Sequence, residues 1–165
     1  MTWEGTAFAG KTMTLEPRDG NMPLKADGVT PKELFPKCIS GSLRHGGVLF
    51  NQVGLSNFGL EFYLRVKAFA SLTSPFMISI MLMEGTKEKR RRELHRLCIL
   101  LGDRMFTLAK AWALQINFAC PNTEHDLKTL QSEMSELVAF ARKQLPDAPI
   151  VVNVNALMPT DVLVE

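Results

Sequence analysis

Residues 111–122 have the sequence Ala-Trp-Ala-Leu-Gln-Ile-Asn-Phe-Ala-Cys-Pro-Asn, and this stretch indicates the fold more strongly than any other. Its first half is an apolar run that is followed by a Pro-Asn turn, which is typical of a buried strand that ends at a turn. Asn117, Cys120 and Asn122 then cluster where the strand meets the loop. In α/β sheets and barrels, chemistry is usually found at that end of a strand.

Strands and helices alternate on both sides of this stretch. Apolar runs predict further strands, and the full set covers 6–15, 75–83, 112–118 and 149–157. Apolar residues at helical spacing predict helices over 60–70, 94–108 and 127–141. Strands that alternate with helices imply a parallel sheet with right-handed crossovers, so the predicted fold class is α/β.

Two segments depart from this alternation. Residues 22–47 are rich in Pro, Gly and Lys and have weak periodicity, which predicts an irregular excursion with one short helix near 31–35. Residues 87–92 have the sequence Lys-Glu-Lys-Arg-Arg-Arg, which is typical of the solvated start of a helix. Contact of this basic run with an anion or a partner is the alternative interpretation.

The composition is ordinary for a soluble globular protein and predicts a single domain over residues 1–165, with 46% apolar and 22% charged residues. A net charge of +2 gives no electrostatic case for nucleic acid. No apolar stretch approaches the roughly 18 residues of a membrane span, and residues 1–4 lack the features of a signal peptide. The three cysteines form neither a metal-binding spacing nor a disulfide framework, so a reducing, cytoplasmic location is expected.

Four segments carry polar residues in a recognisable order. Residues 10–21 are Gly-Lys-Thr-Met-Thr-Leu-Glu-Pro-Arg-Asp-Gly-Asn, and residues 51–61 are Asn-Gln-Val-Gly-Leu-Ser-Asn-Phe-Gly-Leu-Glu. Residues 117–122 are Asn-Phe-Ala-Cys-Pro-Asn, and residues 151–159 are Val-Val-Asn-Val-Asn-Ala-Leu-Met-Pro. In this order and spacing the segments resemble the dihydroorotate dehydrogenase family of flavin enzymes, although Ala119 replaces the serine of the family's Asn-x-Ser-Cys-Pro-Asn motif. The resemblance covers roughly residues 5–165.

The resemblance implies a (β/α)8 TIM barrel with FMN at its C-terminal mouth, of which this chain would supply about strands two to five. A small open doubly wound sheet is the alternative for a chain of this length. The family's first strand and its glycine-rich FMN phosphate site have no counterpart here. We therefore expect a fragment of a longer enzyme, a decayed reading frame, or a half barrel completed by a second copy. A homo-oligomer or a missing barrel half would cover the sheet edges that are otherwise open.

The resemblance also implies roles in catalysis and in flavin binding. Cys120 takes the position of the base that abstracts a proton, and a thiolate performs this task where its surroundings lower its pKa. A small buried residue is the structural alternative for Cys120. Lys11 takes a position that contacts both flavin and substrate, unless it is simply a surface lysine after a strand. Thr12 takes a further flavin-contacting position.

Binding of the planar pyrimidine acid is implied for Asn51, Asn117 and Asn122, with Asn117 also close to the flavin. Amides suit this task because they offer both donors and acceptors, although stabilisation of turns is the alternative role for each asparagine. Backbone positions near the substrate are implied for Val53, Gly54 and Leu55. Asn57 and Gly59 are interpreted as residues that shape the loop.

Asn153 departs from the family pattern, because it stands where the family carries a flavin-binding lysine. An amide keeps the capacity for hydrogen bonds but loses the positive charge.

The resemblance and its departures leave three candidate functions. The first is oxidation of dihydroorotate to orotate with hydride transfer to FMN, in pyrimidine biosynthesis. The second is a catalytically inactive remnant that serves as an interaction module, which Asn153 favours. The third is a related flavin enzyme that acts on another dihydropyrimidine.

Overall fold

Parallel strands form the main sheet of the structure. The structure is a computed structural model that describes residues 8–42, 44, 47–70, 72, 74–104, 111–119, 129 and 132–155. In chain order, the elements within these ranges are β1 (Phe8–Ala9), β2 (Ile39–Ser42), β3 (Val48–Asn51), α1 (Leu60–Arg65), β4 (Phe76–Ile80), α2 (Lys87–Arg104), β5 (Trp112–Asn117), α3 (Met134–Gln144) and β6 (Ile150–Asn153).

The main sheet has the strand order β1-β4-β5-β6, and all of its neighbouring strands are parallel. Helix α2 connects β4 to β5, and α3 lies between β5 and β6 in the chain. The prediction of an α/β fold with a parallel sheet is therefore confirmed. Among the described residues of the strand predicted over 6–15, Phe8–Ala9 form β1, and an isolated parallel bridge between Met13 and Ile80 continues the pairing.

One face of the sheet packs against the helices. Side chains point to alternating faces along a strand, so every second residue of β4 and β5 faces the same way. Ile78, Ile80, Leu114 and Ile116 are fully buried on this face. They form one cluster with apolar residues of α2 and α3, namely Leu94, Leu97, Leu101, Leu137 and Ala141. Burial of each large side chain contributes about 1.5–3 kcal/mol. The same alternation places Ser79 and Asn117 on the opposite face.

The excursion over residues 22–47 contains part of an antiparallel hairpin instead of a helix. β2 pairs with β3, with Ile39 opposite Asn51. The short helix predicted near 31–35 is wrong, because these residues form a bridge and bends. Pro31 and Pro36 bracket the segment, and a residue that precedes proline is disfavoured in the helical region. Only a few residues therefore remain for a helical turn.

The other helices agree with prediction in part, and parts of the ranges predicted over 94–108 and 127–141 lie outside the described residues. α1 stops at Arg65, five residues before the predicted end at Ala70, and Lys67 has a left-handed backbone with φ 54°. The basic run forms the first turns of α2, as predicted. Arg90 is the exception to the solvated character of this run, because Arg90 is only 4% exposed and pairs with the Glu133 carboxylate. The spacing alone did not reveal this partner, which lies 43 positions further along the chain.

Candidate active site

Polar side chains at the C-terminal ends of the main-sheet strands form one hydrogen-bonded chain. Thr12 Oγ1 lies 2.9 Å from Ser79 Oγ, and Asn117 Nδ2 donates to Thr12 Oγ1 at 3.0 Å. Asn153 Nδ2 donates to Asn117 Oδ1 at 3.3 Å. Parallel strands bring their C-terminal ends to one edge of the sheet, so side chains that are distant in sequence meet there. The structure thus brings together Thr12, Asn117 and Asn153, three of the residues selected from the sequence.

The orientation of the Asn117 amide is fixed by the backbone. The N–H of Ala119 donates to this side chain at 2.9 Å, and only the amide oxygen can accept it. The amide nitrogen must then face Thr12. Within the described residues, Thr12 engages one of the two Nδ2 hydrogens of Asn117. The second hydrogen is available to donate to a carbonyl or an anionic oxygen of a ligand.

Lys11 directly precedes Thr12 and is exposed at the same strand end. Partial burial of its amine lowers the pKa of Lys11 below its ordinary value, because desolvation disfavours the charged form. An anionic ligand beside the amine would favour the charged form again. Lys11 is therefore a cationic residue next in sequence to a strand end whose other polar side chains are amides and hydroxyls.

Ser79 belongs to the same hydrogen-bonded chain of side chains but was not predicted from the sequence. It lies in β4 within a run that was interpreted as almost wholly apolar, and it is fully buried. A buried hydroxyl needs a hydrogen-bonding partner, and Thr12 supplies it. The signal that could have found Ser79 is a single hydroxyl within a strand that is otherwise apolar.

The second group of predicted residues lies in the loop after β3. Asn51 is exposed, and its Oδ1 accepts the Val53 N–H at 3.0 Å, so the side chain stabilises its own turn. The Val53 carbonyl accepts the Asn21 N–H at 2.8 Å, and the Gly54 carbonyl accepts Arg18 Nε at 2.9 Å. These backbone groups hold the loop against residues 18–21. Leu55 follows with a left-handed backbone, at φ 61°.

Asn57 anchors this loop to the segment that follows β1. Its Oδ1 accepts the N–H groups of Thr14 at 3.2 Å and of Gly59 at 2.8 Å. Its Nδ2 donates to Thr14 Oγ1 at 2.9 Å and to the Leu55 carbonyl at 2.6 Å. Asn57 is 1% exposed, so its amide serves the fold. The interpretation of Asn57 as a residue that shapes the loop is confirmed by these contacts.

Gly59→Ala is expected to lower the free energy of unfolding by about 1–3 kcal/mol, because Gly59 occupies a region at φ 81° and ψ 151° that is almost restricted to glycine. An added Cβ would also lie 3.0 Å from the Leu15 carbonyl oxygen. Urea unfolding followed by circular dichroism measures the loss. Gly85→Ala is the matched control, since nothing lies within 4 Å of its added Cβ. Equal stability of the two variants would contradict the assigned backbone role of Gly59.

Cys120 and Asn122 lie outside the described residues. The described residues contain no group of three or more His, Cys, Asp or Glu side chains that could hold a metal ion. In the part of the chain that the structure covers, no helix has the length and apolar character needed to cross a membrane. No protein-family model matches the chain, and no curated protein does either.

Proposed function

We propose that this chain carries the FMN- and substrate-binding strand ends of a dihydroorotate dehydrogenase-like flavin oxidoreductase. The observation that supports this function is the hydrogen-bonded chain of Thr12, Asn117 and Asn153. These three residues were selected as flavin-contacting positions from segments far apart in the sequence, and their side chains lie in sequential contact.

The donor set fits a flavin and a pyrimidine acid. Both are planar rings with carbonyl oxygens and ring nitrogens at their edges, and amides and hydroxyls offer donors and acceptors to such edges. Lys11 and Thr12 would hold the flavin together with Asn117 and Asn153. Lys11 would also offset negative charge on the substrate.

The proposed reaction removes two hydrogens from adjacent carbons of dihydroorotate. The thiolate of Cys120 takes a proton from the carbon beside the carbonyl, and the electron pair of that C–H bond becomes the new carbon–carbon double bond. Bound FMN would accept a hydride from the neighbouring carbon, which supplies the redox chemistry that side chains lack. Asn51, Asn117 and Asn122 would orient the substrate, and the loop of Val53, Gly54 and Leu55 would border it.

The proposed architecture is part of a (β/α)8 barrel. α2 and α3 share one apolar cluster with β4 and β5, and Ser79 and Asn117 lie on the other face of these strands. A barrel has this arrangement, because its helices form an outer ring, whereas a doubly wound sheet carries helices on both faces. Further strands, from another segment or from a second copy, would cover the edges of β1 and β6.

The test of this function is titration of the purified protein with FMN. The expected result is a saturable change in the visible absorption of the flavin, followed by bleaching of that band when dihydroorotate is added without oxygen. If excess FMN gives no saturable change, the enzyme function is wrong, and a non-catalytic interaction module, which the neutral Asn153 favours, takes its place. Bleaching by another dihydropyrimidine but not by dihydroorotate would identify a related flavin enzyme.

Asn153→Lys is expected to tighten FMN binding about tenfold, because a hydrogen bond from a charged donor contributes roughly 1.5–3 kcal/mol, against about 0.5–1.5 kcal/mol from a neutral one. Asn153→Met is the matched control, since it is similarly long but neutral. Its affinity should not exceed that of the unmodified protein. Equal tightening by Lys and Met would show that side-chain length, and not charge, is responsible.

A further inference from the structure

A groove of about 260 Å³ lies between α2 and α3. Phe140 of α3 supplies apolar surface, and the buried Leu137 lies beneath it. Lys87 and Arg91 of α2 and Lys143 of α3 supply positive charge. The groove is separate from the strand-end residues and does not depend on the proposed function.

The acidic residues that line the groove are already paired. Glu133 is bound in a bidentate ion pair by Arg90, with both side chains at most 10% exposed. Glu136 pairs with Lys87 at the surface. Among the described residues, neither Arg91 nor Lys143 forms an ion pair with a carboxylate. The groove therefore carries two positive charges that the described part of the chain does not compensate.

Among the described residues, no hydrogen bond engages Arg91, and the Phe140 ring holds its side chain. Its guanidinium carbon lies 4.8 Å from the centre of the Phe140 ring, and this cation–π contact restricts the side chain. A guanidinium held over a ring keeps the N–H groups at its edge free for a planar carboxylate. Less conformational entropy is then lost when an anion binds, so Arg91 is suited to receive a carboxylate.

We propose that this groove docks an acidic amphipathic helix of a partner protein. Charge complementarity identifies the occupant, because Arg91 and Lys143 would bind carboxylates while Phe140 contacts an apolar side chain one turn away. The volume is below the range of about 300–1,000 Å³ that is usual for small-molecule pockets, and it suits one or two side chains. Glu136 at the rim disfavours the continuous phosphate backbone of a nucleic acid.

The test uses a displayed library of amphipathic helical peptides, selected for binding to the intact protein. A fluorescein-labelled copy of the best peptide is the probe, and fluorescence anisotropy gives its affinity. The expected probe is rich in Asp and Glu. Arg91→Gln and Lys143→Gln should each weaken its binding about tenfold, and a peptide with Gln in place of its acidic residues should lose binding.

Lys89→Gln is the matched control, because it removes one positive charge about half a helical turn away from Arg91. Its effect should remain within about twofold, since a charge at the rim or beyond contributes little to affinity. Three results would overturn the proposal. These are a selection that yields no peptide dependent on Arg91, equal weakening by Lys89→Gln, or displacement of the probe by a DNA oligonucleotide that binds more tightly. Retained circular dichroism of each variant shows that the fold is intact.

Discussion

Glu133→Gln is expected to lower the free energy of unfolding by about 3–5 kcal/mol, because it leaves the guanidinium of Arg90 buried without its countercharge. Arg90 Nε donates to Glu133 Oε2 at 2.9 Å, and Nη2 donates to Oε1 at 2.6 Å. The two side chains are 5% and 10% exposed, so little water reaches the pair. The ion pair joins the start of α2 to the start of α3. Urea unfolding followed by circular dichroism measures the loss.

Glu136→Gln provides the control, since Glu136 lies one turn further along α3 and pairs with Lys87 at the surface. Exposed ion pairs contribute about 0–1 kcal/mol, so this variant should remain close to the unmodified protein. The double variant Arg90→Met with Glu133→Leu should recover most of the stability, because no charge is left buried. A loss from Glu133→Gln no greater than that from Glu136→Gln would show that the buried pair is not essential to the helix contact.

Cys120→Ser is expected to slow the reduction of bound FMN by dihydroorotate about 10²–10⁴-fold, which is the usual contribution of a general base. A serine hydroxyl has nearly the same size as the thiol but is far less acidic, so little of it ionises near neutral pH. FMN affinity should remain within about twofold. Stopped-flow absorbance without oxygen measures the rate, and the flavin titration measures the affinity.

Cys38→Ser is the matched control, because Cys38 is a free, half-buried cysteine in the excursion before β2. Its reduction rate should equal that of the unmodified protein. The rate of the unmodified protein should also rise with pH as the thiol ionises, and this rise should be absent in Cys120→Ser. An unchanged rate in Cys120→Ser would show that another group abstracts the proton, while leaving the flavin-binding proposal intact.

The sequence predicted the elements of the main sheet and its helices well where periodicity is strong. β4, β5 and α2 are long apolar or amphipathic segments, so burial determines their conformation. The hairpin of β2 and β3 was missed because its strands lie largely at the surface, and their pattern carries little information about burial. β-Pairing of this kind depends on contacts that a single segment does not reveal.

The candidate site was predictable in the part that depends on the strands of the main sheet. Asn117 and Asn153 lie at the ends of neighbouring parallel strands and are direct register partners. Strand prediction alone therefore brings them together. Ser79 was not predictable as a member of the site, because its role depends on the hydroxyl of Thr12, which is 67 positions away in the chain. The burial of Arg90 depends in the same way on Glu133. Side-chain partners that are distant in sequence are set by tertiary packing and not by local pattern.

The anchored amide of Asn117 gives this strand end a fixed hydrogen-bonding polarity. Ala119 holds the oxygen, so the amide cannot turn over to suit whichever ligand arrives. A ring with a keto oxygen at this point gains a hydrogen bond from Asn117, whereas a ring with an amino group there would set two donors against each other. In the proposed pyrimidine site, one backbone N–H, two residues beyond the amide, would therefore favour uracil-like over cytosine-like rings.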